Sequence, residues 1–129
     1  MTHVLIAVDA DEERAKAQAD AITDLGDPDE VSVTVLHVFT ENPEGASVTQ
    51  VSSARHIADQ LEESGFVVDM AESSSDDPAE SIIEHAADLD VDFICVSGRQ
   101  RSPTGKALFG STSQQVLLES DVPVLFCSS

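Results

Sequence analysis

The sequence predicts an α/β fold: three layers, α/β/α, around one open, parallel, five-stranded sheet with strand order 3-2-1-4-5. Five short apolar runs of strand length recur along the 129 residues, and between them the apolar positions switch to helical spacing. Strand and helix alternate strictly, which favours a parallel sheet covered on both faces. Right-handed crossovers with a single reversal give the strand order and place the reversal between the first and fourth strands. A chain of 129 residues is expected to form one domain, residues 1–129. Ligands of such sheets bind outside the carboxyl ends of the strands at the reversal.

The first strand is expected at residues 4–8, an unbroken apolar run that ends on Asp9-Ala10-Asp11 and suits a strand buried on both faces. Ala15, Ala19, Ile22 and Leu25 follow at helical spacing, and Gly26 stops that helix. Residues 31–39 form the second strand. Asn42-Pro43 and Gly45 then mark a looser segment over residues 40–49. The second helix carries Ala54, Ile57, Ala58 and Leu61 and ends at Gly65. A third strand is expected at residues 66–70, with a polar loop at 73–76. Asp77-Pro78-Ala79-Glu80 is a helix start, with Asp as N-cap and Pro at the first helical position. Ala79, Ile82, Ile83, Ala86 and Leu89 give that helix its apolar face. Residues 93–96 are the fourth strand and residues 111–120 the last helix. The terminal strand begins at Val122 and ends at Cys127.

Twenty-five Asp and Glu against six Lys and Arg give a net charge of −19, which argues against nucleic acid and anionic membranes as partners. The acids are dispersed along the chain and lysine is scarce, the composition of a protein from an extreme halophile; an acidic protein from ordinary salt is the alternative. At molar salt the Debye length falls to about 3 Å, which relieves the self-repulsion of such a chain. No apolar run is long enough to span a membrane. Met1-Thr2-His3 enters the first strand without a basic leader segment, so a cytoplasmic location is expected. Cys95 and Cys127 lie in apolar strand-like runs and are expected as buried free thiols, in keeping with that compartment.

The stretch between the fourth strand and the last helix concentrates the charge. It holds Gly98, Gly105 and Gly110 together with Arg99, Arg101 and Lys106, half of the six bases in the chain. It closes on Ser111-Thr112-Ser113-Gln114, which reads as a capping box. A strand, a glycine-containing loop and a helix start aim backbone N–H groups and the positive end of a helix dipole at one spot, which suits a phosphate. A solvated loop whose bases pair with nearby carboxylates is the plainer account of the same charges. The stretch is not a P-loop, because Gly105-Lys106 has no glycine five residues earlier and Ala107 follows. Its glycine spacing does not fit a dinucleotide fingerprint either. The first strand delivers Asp9 to the same crevice; capping the first helix is the alternative role for it.

The spacing resembles the universal stress protein family, which carries Gly-x2-Gly-x9-Gly-Ser/Thr after its fourth strand. Aligned on Gly110-Ser111, this chain reads Ser97-x2-Gln100-x9-Gly110-Ser111, with the first two glycines replaced. Arg101-Ser102 and Leu108-Phe109-Gly110-Ser111 are similar to the family too, as are Val35-Leu36-His37-Val38 and Asp77-Pro78-Ala79-Glu80-Ser81-Ile82. Residues 92–96 and Val122-Pro123-Val124-Leu125 also match, and in Val4-Leu5-Ile6-Ala7-Val8-Asp9 the usual proline is Ala7. The resemblance thus runs along the whole chain in register. It implies an adenine-nucleotide alpha-hydrolase-like fold that binds ATP or AMP, with Mg²⁺ carried on the phosphates where present. It also implies a regulatory module of the stress response, a homodimer through the terminal strand, and no defined turnover reaction. By the same resemblance Asp9 sits beside ribose and adenine, Val38 offers its backbone to adenine, and Ala7, Val8 and Val96 line the pocket. Ser97, Arg99, Gln100, Gly110, Ser111, Thr112 and Ser113 match the phosphate-binding segment. Gly98, one place after Ser97, and Arg101, a second guanidinium, complete the expected set. A dimeric scaffold without nucleotide and a nucleotide hydrolase on the same fold are the alternatives.

No catalytic or metal-binding residue is assigned. Asp9, His37 and Ser97 do not read as a triad, because Ser97 lacks the Gly-x-Ser-x-Gly elbow. His3, His37, His56 and His85 show no metal-ligand spacing; His37 is expected as a packed strand histidine, His56 and His85 as solvated helix residues. A hydrolase needs a positioned base or a metal-binding carboxylate pair by the phosphates, and the loop offers only Arg, Lys, Ser, Gln and Thr.

Overall fold

The computed structural model describes residues 2–9, 11–40, 47–98 and 111–128. Arg99, Gln100, Arg101, Lys106 and Gly110 of the expected anion loop lie outside the described residues, as does the turn around Asn42-Pro43 and Gly45. At the centre of the sheet, β1 (Thr2–Ala7) pairs in parallel with β2 (Val31–Phe39) on one side and β4 (Phe93–Gly98) on the other. Outside these, β3 (Val67–Ser74) flanks β2 and β5 (Val124–Ser128) flanks β4, so the order is β3-β2-β1-β4-β5, as the alternation predicts. The crossovers carry α1 (Glu12–Leu25), a 3₁₀ turn (Val48–Gln50) with α2 (Ser52–Glu63), α3 (Pro78–Asp88) and α4 (Ser111–Glu119).

Successive side chains of a strand point to opposite faces. Val4 and Ile6 of β1 join Ala15, Ala19 and Ile22 of α1 and Ile57 and Leu61 of α2 on one face. Leu5 joins Ile82 and Ala86 of α3 and Val116 of α4 on the other. Both faces of β1 are filled, which is why it reads as an unbroken apolar run. Truncating a residue as buried as Leu5 to alanine costs about 2–5 kcal/mol.

Local signals set the helix starts. Asp77 Oδ1 accepts from the Glu80 N–H (3.2 Å) ahead of Pro78, as the sequence predicts. Asp11, rather than Asp9, caps α1, accepting from the Arg14 N–H (3.0 Å). The α4 helix begins at Ser111, which makes Ser111 a first-turn residue rather than the cap; the preceding position is outside the described residues.

The elements differ from expectation where pairing partners are distant in sequence. The third strand does not end at Met70: it continues to Ser74, because Ser73 and Ser74 pair with Val38 and Phe39 of β2, and the expected polar loop is correspondingly shorter. The terminal strand starts at Val124 rather than Val122. Val122 is held in a turn by Ser120, whose Oγ donates to Val122 O (2.8 Å) and accepts from Val122 N–H (3.1 Å). The fourth strand runs on through Ser97 and Gly98, which pair with Cys127 and Ser128. Leu25 and Leu89, expected on buried faces, sit at helix C-termini and stay exposed. On α1 the wholly buried Gln18 shares the inner face instead.

Candidate functional site

The site forms where β1 and β4 part. Their ladder ends at the pair Ile6–Cys95, while β1 stays with β2 as far as Ala7–Leu36 and the Val8 N–H still reaches Leu36 O (2.9 Å). Beyond that point the carbonyls of Ala7 and Cys95 lie where the two strands separate. Gln18 bridges them from α1, its Nε2 donating to Ala7 O (2.9 Å) and Cys95 O (3.3 Å). The divergence opens a cavity of about 410 Å³ at the carboxyl ends of the strands, within the range of small-molecule sites.

Ala7 enters the cavity wall from the end of β1, with Val8 and Asp9 just after it, Val38 from β2, and Val96, Ser97 and Gly98 from β4. Ser111, Thr112 and Ser113 come from the first turn of α4. Residues from four separate elements that the sequence reading grouped together therefore border one space. Apolar walls come from Leu36, Val38, Val96 and, on α3, Pro78 and Ile82. Polar groups come from the ends of β1 and β4, from α4, and from Arg14 of α1 and His37 of β2. The first N–H groups of a helix have no intrahelical acceptor, so the α4 turn brings donors and a positive dipole end to the cavity. Ser113 ties that turn in place, its Oγ donating to Ser97 O (2.7 Å).

Asp9 and Arg14 form the charged part of the wall. Asp9 Oδ2 accepts from Arg14 Nη1 at 2.7 Å, and Asp9 Oδ1 accepts from the Asp11 N–H at 2.9 Å. Arg14 is mostly buried, and its Nε has no partner among the described residues. The sequence reading singled out Asp9 and missed Arg14. The available signal was the scarcity of bases: Arg14 is one of only six, placed in the first helical turn after the strand that ends at Asp9. His37 was expected to be packed, and it is half-buried. Its Nδ1 donates to Val8 O (2.9 Å) and its ring meets Phe39 edge-on at 4.6 Å. It nevertheless borders the cavity, together with Leu36, Pro78 and Ile82, which the sequence did not single out. His85, expected to be solvated, is half-buried with Nδ1 donating to Ser81 O (2.9 Å); His56 is exposed, as expected. Among the described residues, no three His, Cys, Asp or Glu gather where they could hold a metal ion. None of the described helices is long and apolar enough to cross a membrane.

A family model, the Universal stress protein family, matches residues 1–128. The chain belongs to the universal stress protein family. Two curated relatives are similar over parts of their length. Stress response protein NhaX of Bacillus subtilis is 47% identical over 49 residues, 38% of this chain and 30% of that protein. A universal stress protein of Mycolicibacterium smegmatis is 32% identical over 65 residues, 50% of each. The matched stretches thus span half or less of these relatives. Among solved structures, a universal stress protein from Archaeoglobus fulgidus has a TM-score of 0.81 at 22% identity, covering 99% of both chains. A universal stress protein from Archaeoglobus fulgidus in complex with dAMP has a TM-score of 0.73 at 17% identity, covering 99% of this chain and 98% of that one. An Arabidopsis thaliana family member with AMP bound has a TM-score of 0.75 at 16% identity, covering 99% and 91%. At these identities the likeness is one of fold. Against the universal stress protein pattern, Ser97 stands buried at the cavity edge where the family has glycine, and its carbonyl is the anchor for Ser113.

Proposed function

We propose that this universal stress protein is an adenine-nucleotide-binding regulatory module, cytoplasmic, acting in the stress response as a homodimer through its terminal strand. AMP or ATP occupies the cavity at the split between β1 and β4. The observation that carries this reading is the coincidence, at the reversal of strand order, of that cavity with the first turn of α4. The AMP and dAMP complexes of the Arabidopsis and Archaeoglobus proteins, which share the fold, support the choice of nucleotide. In this reading Val38 meets adenine through its backbone, with Ala7, Val8 and Val96 around the base. Asp9 lies at the ribose. Gly98 and the N–H groups of Ser111, Thr112 and Ser113 receive the phosphates, with Ser97, Arg99, Gln100, Arg101 and Gly110 completing the phosphate segment. Mg²⁺ arrives on the phosphates of ATP. No turnover chemistry is assigned.

Calorimetric titration of AMP and ATP in molar KCl with Mg²⁺ tests this. Binding is expected for the native chain, and its loss is expected in Ala7→Leu, which fills the cavity from the end of β1 while leaving the melting transition in place. No heat at millimolar nucleotide would leave the dimeric scaffold as the function.

A further inference from the structure

Cys95 and Cys127 face each other across β4 and β5 with their Sγ atoms 3.2 Å apart, both as free thiols. The parallel register pairs Cys95 with Leu125 and Ser97 with Cys127, so the two cysteines are diagonal neighbours. They share the sheet face that carries the α1 core. Cys95 is wholly buried and Cys127 is 6% exposed. We propose that Cys95 and Cys127 form an oxidisable dithiol site, converted by a hydroperoxide into a disulfide between β4 and β5.

The two thiols are unequal. The hydrogen bond between the two pushes the Cys127 thiol down, whereas that same bond, and then burial, push Cys95 up. Cys127 is therefore the more acidic of the two thiols and, as the more exposed one, the nucleophile. Its sulfur attacks the terminal oxygen of the hydroperoxide, the O–O bond breaks, and the leaving oxygen departs as alcohol, or as water from hydrogen peroxide. Cys127 is left as a sulfenic acid. Cys95 then gives up its proton and attacks Cys127 Sγ; the S–O bond breaks and hydroxide leaves as water. Two thiols and one hydroperoxide thus give one disulfide, one alcohol and one water.

Closure brings the sulfurs from 3.2 Å to about 2.05 Å. That movement of about 1 Å falls to β5, which among the described strands pairs with β4 alone. Gln18, the helix residue bonded to Cys95 O, has a buried Oε1 without a partner among the described residues, an unused acceptor on the Cys95 side of the pair. Ser97, the register partner of Cys127, holds the first turn of α4, so the state of the pair reaches the cavity wall.

The test treats the folded, reduced full chain with hydrogen peroxide, then denatures, alkylates and maps it. The expected result is the loss of both free thiols, a cross-link joining the peptides that carry Cys95 and Cys127 within one chain, and its reversal by dithiothreitol. In Cys95→Ala, Cys127 is expected to be trapped as a sulfenic acid by dimedone; in Cys127→Ala, Cys95 is expected to react at least about tenfold more slowly. Two thiols still open to alkylation after excess peroxide, or cross-links only between chains, would overturn the proposal. Since either variant removes a core side chain, the mapping of the native chain decides.

Discussion

Asp9 accepts two hydrogen bonds from its own chain, one from the Asp11 N–H and one from Arg14, and so meets any ligand as half of an ion pair. In a chain of net charge −19 that pairing matters, because a bare carboxylate at the cavity wall would oppose an anionic ligand. Arg14→Ala leaves the carboxylate unpaired. The expected consequence is a loss of about tenfold in AMP affinity, about 1.4 kcal/mol, with a smaller loss for adenosine, which lacks the phosphate. Arg14→Lys should recover part of the difference by restoring the charge without the planar guanidinium. Calorimetry with both ligands checks this; equal losses for AMP and adenosine would mean that Arg14 only positions Asp9. Global stability should change little, since the Asp9 carboxylate of the pair is close to half exposed, and a pair that reaches solvent is worth about 0–1 kcal/mol.

The start of α3 is the clearest case of an element set by local signals. Asp77→Ala removes the side chain that accepts from the Glu80 N–H, and the expected cost is about 1 kcal/mol, read by chemical denaturation. On the same helix, Glu84 first, and then Asp77, raise the pKa of the fully exposed Glu80 carboxyl by repelling its charge. The sign follows from linkage. With the folded pKa above the unfolded one, the folded state holds this proton more tightly, so Glu80 favours folding when protonated and loses that contribution as pH rises through its folded pKa. Glu84→Gln should therefore move the Glu80 midpoint down in an NMR titration. Asp-Pro-Ala-Glu made this helix start legible because every partner lies within a turn. The strand order was legible for a different reason, because alternation and the handedness of crossovers leave few arrangements of the strands. What the sequence could not display were relations between distant segments. Ser73 and Ser74 are strand only because Val38 and Phe39 lie alongside them. Asp9 is free of the capping role only because Asp11 takes it, and Cys95 meets Cys127 only through the register of β4 and β5. Five of the nine residues of the expected phosphate segment, Ser97, Gly98, Ser111, Thr112 and Ser113, border the cavity because of the fold; their grouping with Arg99 and Arg101 rested on adjacency in sequence.

At the scale of the whole molecule, charge and sheet edge act together. Dispersed carboxylates repel one another in the folded chain, and salt at molar concentration shortens the range of that repulsion to about 3 Å. The melting temperature is therefore expected to rise from low salt to molar KCl; a flat or falling profile would count against a fold adapted to salt. The same field governs association. β5 lies at the end of the sheet with Val124, Leu125 and Phe126 half-buried, and Pro123 just before it withholds a donor, as suits an edge. An apolar edge of this kind invites pairing with a second copy. Bringing two chains of −19 together edge to edge sets like charges against the gain from pairing, so dimerisation should tighten as salt rises, in parallel with the melting temperature. Sedimentation across a KCl series checks this. The expected result is a dimer at tens of micromolar in molar KCl, dissociation at low salt before unfolding, and a monomer at all salt concentrations for Leu125→Glu. That variant places a carboxylate on the edge strand without touching the cavity. A native chain that stays monomeric in molar KCl, or a variant of unchanged mass, would move the interface away from β5 and leave its apolar residues to the interior of the monomer.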